Sequence, residues 1–253
     1  MFAKHIHMKS LKIFSSVVAI FSFAAAGAQT TMVNHFDKVI VSPYIQVTLV
    51  QGDQESVTVN DIHVDASKLH IEVNGQTLRV YLTGAKDIPK YEKHYSDGYQ
   101  ETHPLYQNTS VVATITYKNL TTLSFRGEET QFCESPVSGN ELKLRIYGES
   151  SVIFNEVNLQ RLEATMYGEG TLEIKSGSAR EQKYLCYGEG KINTMAISGN
   201  TSHITAYGEA DFTLNVSDRI KVTAFGDARL HYKGTPEIVK GLHIGDMLID
   251  RID

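Results

Sequence analysis

Tyr147-Gly148-Glu149-Ser150, Tyr167-Gly168-Glu169-Gly170, Tyr187-Gly188-Glu189-Gly190 and Tyr207-Gly208-Glu209-Ala210 stand twenty residues apart in a chain of 253. Weaker copies flank them. Arg126-Gly127-Glu128-Glu129 precedes by twenty-one residues, and Phe225-Gly226-Asp227-Ala228 and Ile244-Gly245-Asp246-Met247 follow at eighteen and nineteen. Seven copies with drifting spacing mark a stack of similar coils, because self-similarity at a period of about 20 to 50 residues is the signature of repeat architectures.

Counted from each glycine, the flanking residues sort into alternating columns. Two before it stand Phe125, Ile146, Met166, Cys186, Ala206 and Ala224; four before it stand Leu123, Leu144, Ala164, Tyr184, Ile204 and Val222. Four after it come Val152, Leu172, Ile192, Phe212, Leu230 and Ile249, with Phe154, Ile174, Leu214 and Tyr232 two further on. The positions between are mostly polar. A period of two with one apolar face means short strands, and helical apolar spacing is missing from these windows. Coils of about twenty residues built from such strands predict a parallel β-solenoid. The competing fold is an antiparallel sandwich, whose strands also recur at about 8–12 residues. Like residues falling on like positions favours the solenoid, since coils stacked about 4.8 Å apart bring them together. Hairpin dipeptides such as Asn-Gly are also nearly absent after residue 76.

The same columns bear on Cys133 and Cys186, the two cysteines of the chain. Three coils separate them, roughly 14 Å along the stack at about 4.8 Å per coil, whereas a disulfide needs Cα atoms within about 7 Å. They are expected as free thiols in the core.

Upstream, Lys38 to Val41, Tyr44 to Val50, Ser56 to Val59, Leu69 to Val73, Thr77 to Leu82 and Val111 to Tyr117 read as strands, with turns at Gln51-Gly52-Asp53 and Asn74-Gly75-Gln76. Residues 84–110, rich in Tyr, His, Lys and Asp, read as a long surface loop. Residues 29–117 and 118–253 are therefore expected either as one continuous β unit or as two sub-domains meeting near residue 118. Before them, Lys4, Lys9 and Lys12, an apolar run from Ile13 to Ala26, and Ala26-Gly27-Ala28 read as a secretory signal peptide over residues 1–28. The run is shorter than the about 20 apolar residues of a membrane span, and no transmembrane segment is expected once the leader is removed. Removal lowers Lys plus Arg from 24 to 21 against 29 acids, a net charge of about −8. Nucleic acid and anionic lipid surfaces are unsuitable partners for such a charge, because binding them requires a basic face.

The order Phe36-Asp37-Lys38-Val39, Ile45 to Asp53 (IQVTLVQGD), the Leu-x-x-Leu strand at Leu120 to Leu123, the reiterated glycine turns and Gly234-Thr235-Pro236 resembles the putative auto-transporter adhesin, head GIN domain family. The resemblance covers nearly all of residues 34–249. It implies a right-handed parallel β-helix of the pectate-lyase-like kind, exported to the periplasm or cell surface of a Gram-negative bacterium, with no established activity in a family named for an adhesive role. The family's turns are usually small, of the Ser-Gly-Ala-Gly type; Tyr before and Glu after the glycine depart from that pattern.

Two ladders follow from the coil. Tyr147, Tyr167, Tyr187, Tyr207 and Phe225 form an aromatic column on the outer face, read either as a stacking surface for sugar rings or a partner protein, or as a stiffener of the solenoid. Glu149, Glu169, Glu189, Glu209 and Asp227, with Glu128 and Asp246, form an acidic column. Neighbouring charges about 4.8 Å apart in water repel by only about 0.9 kcal/mol, so a solvated acidic face is one reading. Calcium sites are the other, although one carboxylate per coil is few for a cation that takes about 6–8 oxygens. No further cofactor is expected. A polysaccharide-active enzyme would need an acid and a base in different surroundings, which a uniform column does not offer. His94, Asp97 and His103 in the long loop are a candidate metal cluster or simply solvated side chains. The readings that remain are a glycan- or protein-binding adhesin, the enzyme, and a purely structural envelope component.

Overall fold

The computed structural model describes residues 29–88, 91–96 and 99–252; the leader expected over residues 1–28 lies outside them. The chain begins with β1 (Gln29–Met32), β2 (Lys38–Val41), β3 (Ile45–Gln51), β4 (Ser56–Ile62), β5 (Leu69–Asn74) and β6 (Thr77–Leu82). Next come β7 (Tyr91–Ser96), β8 (Tyr99–Pro104) and β9 (Val111–Tyr117). The coils follow as β10 (Thr122–Gly127), β11 (Thr130–Cys133), β12 (Val137–Gly148), β13 (Ser151–Phe154), β14 (Val157–Tyr167), β15 (Thr171–Ile174) and β16 (Gly177–Tyr187). They finish with β17 (Gly190–Tyr207), β18 (Ala210–Phe225), β19 (Ala228–Lys233), β20 (Glu237–Ile244) and β21 (Met247–Arg251).

These strands build a parallel β-solenoid. From β10 onward each coil lies in parallel register on the one before it, so that Tyr147 pairs with Tyr167, Tyr167 with Tyr187, Tyr187 with Tyr207 and Tyr207 with Phe225. The columns counted from the glycines are the inward ones: Ile146, Met166, Cys186, Ala206 and Ala224 are buried, as are Val152, Leu172, Ile192, Phe212 and Leu230. Alternate residues face water, which is how a pleated strand with one buried face resolves its side chains. Cys133 and Cys186 are free and buried, and burial pushes the Cys186 thiol up to about 12.

The N-terminal half joins the same stack out of sequence order. β2 and β3 form a coil parallel to β10 and β11 above and to β6 and β9 below. The chain thus lays down its second coil first, returns beneath it, and crosses over to start the regular spiral at β10. One hydrophobic cluster runs from Phe36 to Leu230 through both halves. The change of winding is sealed by side chains where the backbone ladder is interrupted. Gln131, fully buried, accepts a hydrogen bond from the Val47 amide (2.8 Å) and donates one to the Ile45 carbonyl (3.0 Å).

The lower end is closed by antiparallel strands: β5 pairs with β6 through the turn at Gly75, β4 with β9, and β1 with β4. Parallel winding stops there because strands of opposite direction occupy the edge. The stretch 84–110 departs from the expected loop, since β7 and β8 pair antiparallel as a separate two-stranded hairpin. Its two strands, YEKHYS and YQETHP, contain no aliphatic residue, so they carry no apolar strand signal in the sequence. Asp97 and the His94 side chain lie outside the described residues.

Candidate functional site

The outer edge of the solenoid is built at the glycine turn. Gly148, Gly168, Gly188 and Gly208 all have φ between +85° and +116°, in the left-handed region that side-chain-bearing residues rarely adopt. A Cβ on Gly168 or Gly188 would also lie 2.6 Å from the glycine carbonyl oxygen of the coil beneath. Both demands are met by glycine alone, and the backbone ladder therefore continues around the corner. The Glu169 and Glu189 amides donate to the Gly148 and Gly168 carbonyls (3.0 Å each), and the Gly168 and Gly188 amides donate to the Tyr187 and Tyr207 carbonyls (2.8 Å each).

That corner fixes the residue before each glycine on the outside. The rings of Tyr147, Tyr167, Tyr187, Tyr207 and Phe225 stack with centroids 5.0, 5.0, 4.9 and 5.0 Å apart and planes within 7° of parallel. Tyr167, Tyr187 and Tyr207 keep 40, 38 and 41% of their surface. Coils repeat too closely for coplanar rings to sit side by side, so each ring turns a face to its neighbour. The faces are thereby occupied, and the ladder offers ring edges and phenol hydroxyls outward. Those four hydroxyls make no hydrogen bond among the described residues. The lower end of the ladder is covered by Arg126, whose guanidinium lies 5.3 Å from the Tyr147 ring centre. Asp87 holds that guanidinium at 2.6 Å and also pairs with Arg79. The hydrogen bond from Arg79, with the two guanidinium charges, holds the Asp87 carboxyl below its usual range.

The acidic column runs beside the ladder. Glu149, Glu169, Glu189, Glu209 and Asp227 are all exposed. The Asp227 carboxylate accepts a hydrogen bond from the Asp246 amide (3.0 Å). No three Asp, Glu, His or Cys side chains converge as a metal site would require among the described residues. The Gly148 and Gly168 carbonyls, beside Glu149 and Glu169, already accept ladder hydrogen bonds from the Glu169 and Glu189 amides, so those two turns bring one carboxylate each. One acid of the turn behaves differently. Glu129, two after its glycine, faces inward at 8% exposure, and desolvation raises its pKa.

Farther along the same outer face is a charge pattern that was not among the columns expected from the repeat, although it is written at fixed offsets from the glycines. Glu141, Arg161 and Glu181 lie one above another, and Lys143, Glu163 and Lys183 form the next column. Arg161 reaches Glu141 (3.4 Å), Glu163 (3.7 Å) and Glu181 (3.9 Å), while Lys183 pairs with Glu163 (3.3 Å). The Arg126 cover was equally legible: the first copy of the repeat has Arg where later ones have Tyr.

The family described as "putative auto-transporter adhesin, head GIN domain" matches residues 35–236. Among solved structures, a putative adhesin from Bacteroides fragilis is similar at 20% identity and a TM-score of 0.73, with 89% of this chain and 96% of that one covered. A putative adhesin from Parabacteroides merdae is similar at 19% identity and a TM-score of 0.64, covering 90% and 96%. A protein from Parabacteroides distasonis described as a putative lipid binding protein is similar at 18% identity and a TM-score of 0.63, covering 90% and 98%. At these identities the likeness is one of fold. No functionally curated protein is similar at a significant level. No helix among the described residues is long and apolar enough to cross a membrane.

Proposed function

The chain belongs to the putative auto-transporter adhesin, head GIN domain family, and from that premise we propose that it is an exported, non-enzymatic binding protein of a Gram-negative envelope. Its contact surface is the edge formed by Tyr147, Tyr167, Tyr187, Tyr207 and Phe225, and its partner is a glycan or a protein surface rich in hydrogen-bonding groups. One observation carries this reading. A ladder that served only to stack could be phenylalanine throughout, as Phe225 shows within the same column. Four of its five members instead carry a hydroxyl that bonds to nothing in the described residues, set in an unbroken row at coil spacing. Amphipathic rings with one free polar tip are what binding surfaces favour.

A panel of neutral and acidic glycans, incubated with the protein lacking residues 1–28, separates the readings. Saturable retention without cleavage is expected. Released reducing or unsaturated ends would establish the polysaccharide-active enzyme instead, and neither retention nor release would leave a structural component. Replacing Tyr167 and Tyr187 by Phe keeps the stack and deletes two hydroxyls, so retention should fall while the melting temperature holds. Calcium at the acidic column is tested separately: a melting temperature unmoved by millimolar calcium would remove that role.

A further inference from the structure

The charge pattern on the outer face contains one break, and the break sits at a depression. In the column Lys143, Glu163, Lys183 the sign alternates, and the next coil should supply an acid; it supplies His203, followed by Lys221. In the neighbouring column Glu141, Arg161, Glu181 the next residue is Thr201, followed by Arg219. The short Thr201 leaves a hollow of about 280 Å³ between longer side chains, lined by Arg161, Lys183, Ser202, His203, Arg219 and Lys221 among others. Glu181 is the one acid in its lining, and it belongs to Arg161 (3.9 Å). Arg219 is paired with Glu237 (3.9 Å), whereas Lys221 has no ion pair among the described residues. Lys183 is shared with Glu163 (3.3 Å), so Lys221 is the rim cation left without an acid, at the point where the alternation of the column breaks, in a chain of net charge −5.

We propose that this hollow is an oxyanion site that takes a phosphate group, with Lys221, Lys183 and a protonated His203 as its cationic rim. The anion occupies the place in the alternation where a glutamate would otherwise stand. Burial, then Lys221 and Lys183, hold the His203 pKa below 6.5 in the free protein. In the column of His203, Lys183 lies on the coil beneath, Glu163 two coils beneath and Lys221 above, while the neighbouring column places Glu181 beneath and Arg219 above. A bound anion reverses the effect of the two lysines, so His203 takes up a proton on binding and affinity rises as pH falls. The site lies on the same sheet face as the tyrosine ladder, four residues along the strand, but is independent of it. The phosphate could be free or belong to a lipid head group, and the chemistry is shared.

Inorganic phosphate, titrated by calorimetry at low ionic strength, should bind saturably and more tightly at pH 6 than at pH 8. Vesicles of phosphatidylcholine with and without phosphatidylglycerol distinguish the sources, since binding that requires phosphatidylglycerol identifies a head group. His203→Glu restores the alternation and fills the anion's place; it should keep or raise the melting temperature and weaken phosphate binding about tenfold or more. His203→Gln should bind with little dependence on pH, and Lys221→Gln should bind more weakly than the parent protein. Failure of the parent protein to bind phosphate or anionic vesicles between pH 6 and 8 would overturn the proposal. So would binding that survives His203→Glu and Lys221→Gln unchanged.

Discussion

Gly188 shows how much one position carries. A methyl group there meets both a disallowed φ of +116° and the Gly168 carbonyl oxygen at 2.6 Å. Neither is relieved by moving a side chain, because the obstacle is backbone. Gly188→Ala is expected to cost about 2–4 kcal/mol in urea unfolding, the sum of strain and a displaced ladder. Gly75 is the control: its φ is +60°, nothing lies within 4 Å of the added Cβ, and Asn tolerates that conformation. Gly75→Asn should change stability by no more than a few tenths of a kcal/mol. Glu129 gives a pH test. Its folded pKa is raised by desolvation, so its cost is absent below the ordinary value near 4.5 and grows as pH rises through the folded pKa. Glu129→Gln keeps an acceptor for the Glu128 amide, which now bonds the carboxylate at 3.1 Å. The variant should melt higher than the parent at pH 8, and the gap should close as pH falls towards 4.5. A constant gap across pH would show that Glu129 is already neutral or solvated.

At the scale of the strand, stability is shared down columns. Tyr187 stacks on both Tyr167 and Tyr207, and such pairs contribute about 0.5–1.5 kcal/mol each beyond area burial. Tyr187→Ala should therefore destabilise by about 1–3 kcal/mol, and a double-mutant cycle with Tyr167 should show coupling that one with the distant Phe225 lacks. The charged columns behave differently, since exposed pairs are weak and screened by salt. Glu163→Lys would place three lysines in succession, with Lys143 and Lys183 on either side. Its melting temperature should fall at low ionic strength and recover most of the loss in 1 M salt, an effect of about 1 kcal/mol or less. The apolar, tyrosine and acidic columns were legible in the sequence because like residues recur at a fixed offset from each glycine, whereas the Lys143 and Glu141 columns alternate in sign and show no such identity. What could not be read there was ring orientation: alternation places Tyr167 outside, but only the coil spacing shows that its face is taken by Tyr187. The hairpin at β7 and β8 was also invisible, since neither strand has an apolar face to betray it.

For the molecule as a whole, the two ends differ. The lower end is closed by antiparallel pairing, whereas the upper end stops at β20 and β21 with open parallel edges and exposed Leu242, Ile244 and Leu248. In that last coil the register positions that are apolar elsewhere hold Lys240, His243 and Arg251, opposite Val222, Ala224 and Tyr232, and all three are exposed. Charge placed where a further coil would bury it discourages the edge from accepting one. Lys240→Ile, His243→Leu and Arg251→Ile together should turn the end apolar and give concentration-dependent association in light scattering, which the parent protein should not show. The winding of the first three coils was beyond the sequence for a different reason. β2, β6 and β10 carry similar apolar alternation, and nothing in their residues states which lies between the other two.

The in-register stack makes the length of this protein a discrete quantity. Deleting Gly168 through Tyr187 joins Tyr167 to Gly188, two positions that already follow one another in every coil, and leaves both end structures untouched. Such a deletion should fold, and it would shorten the tyrosine row by one member and about 4.8 Å. The protein is in this respect a ruler whose graduations are whole coils, so the reach of any surface written along it changes by steps and never by fractions.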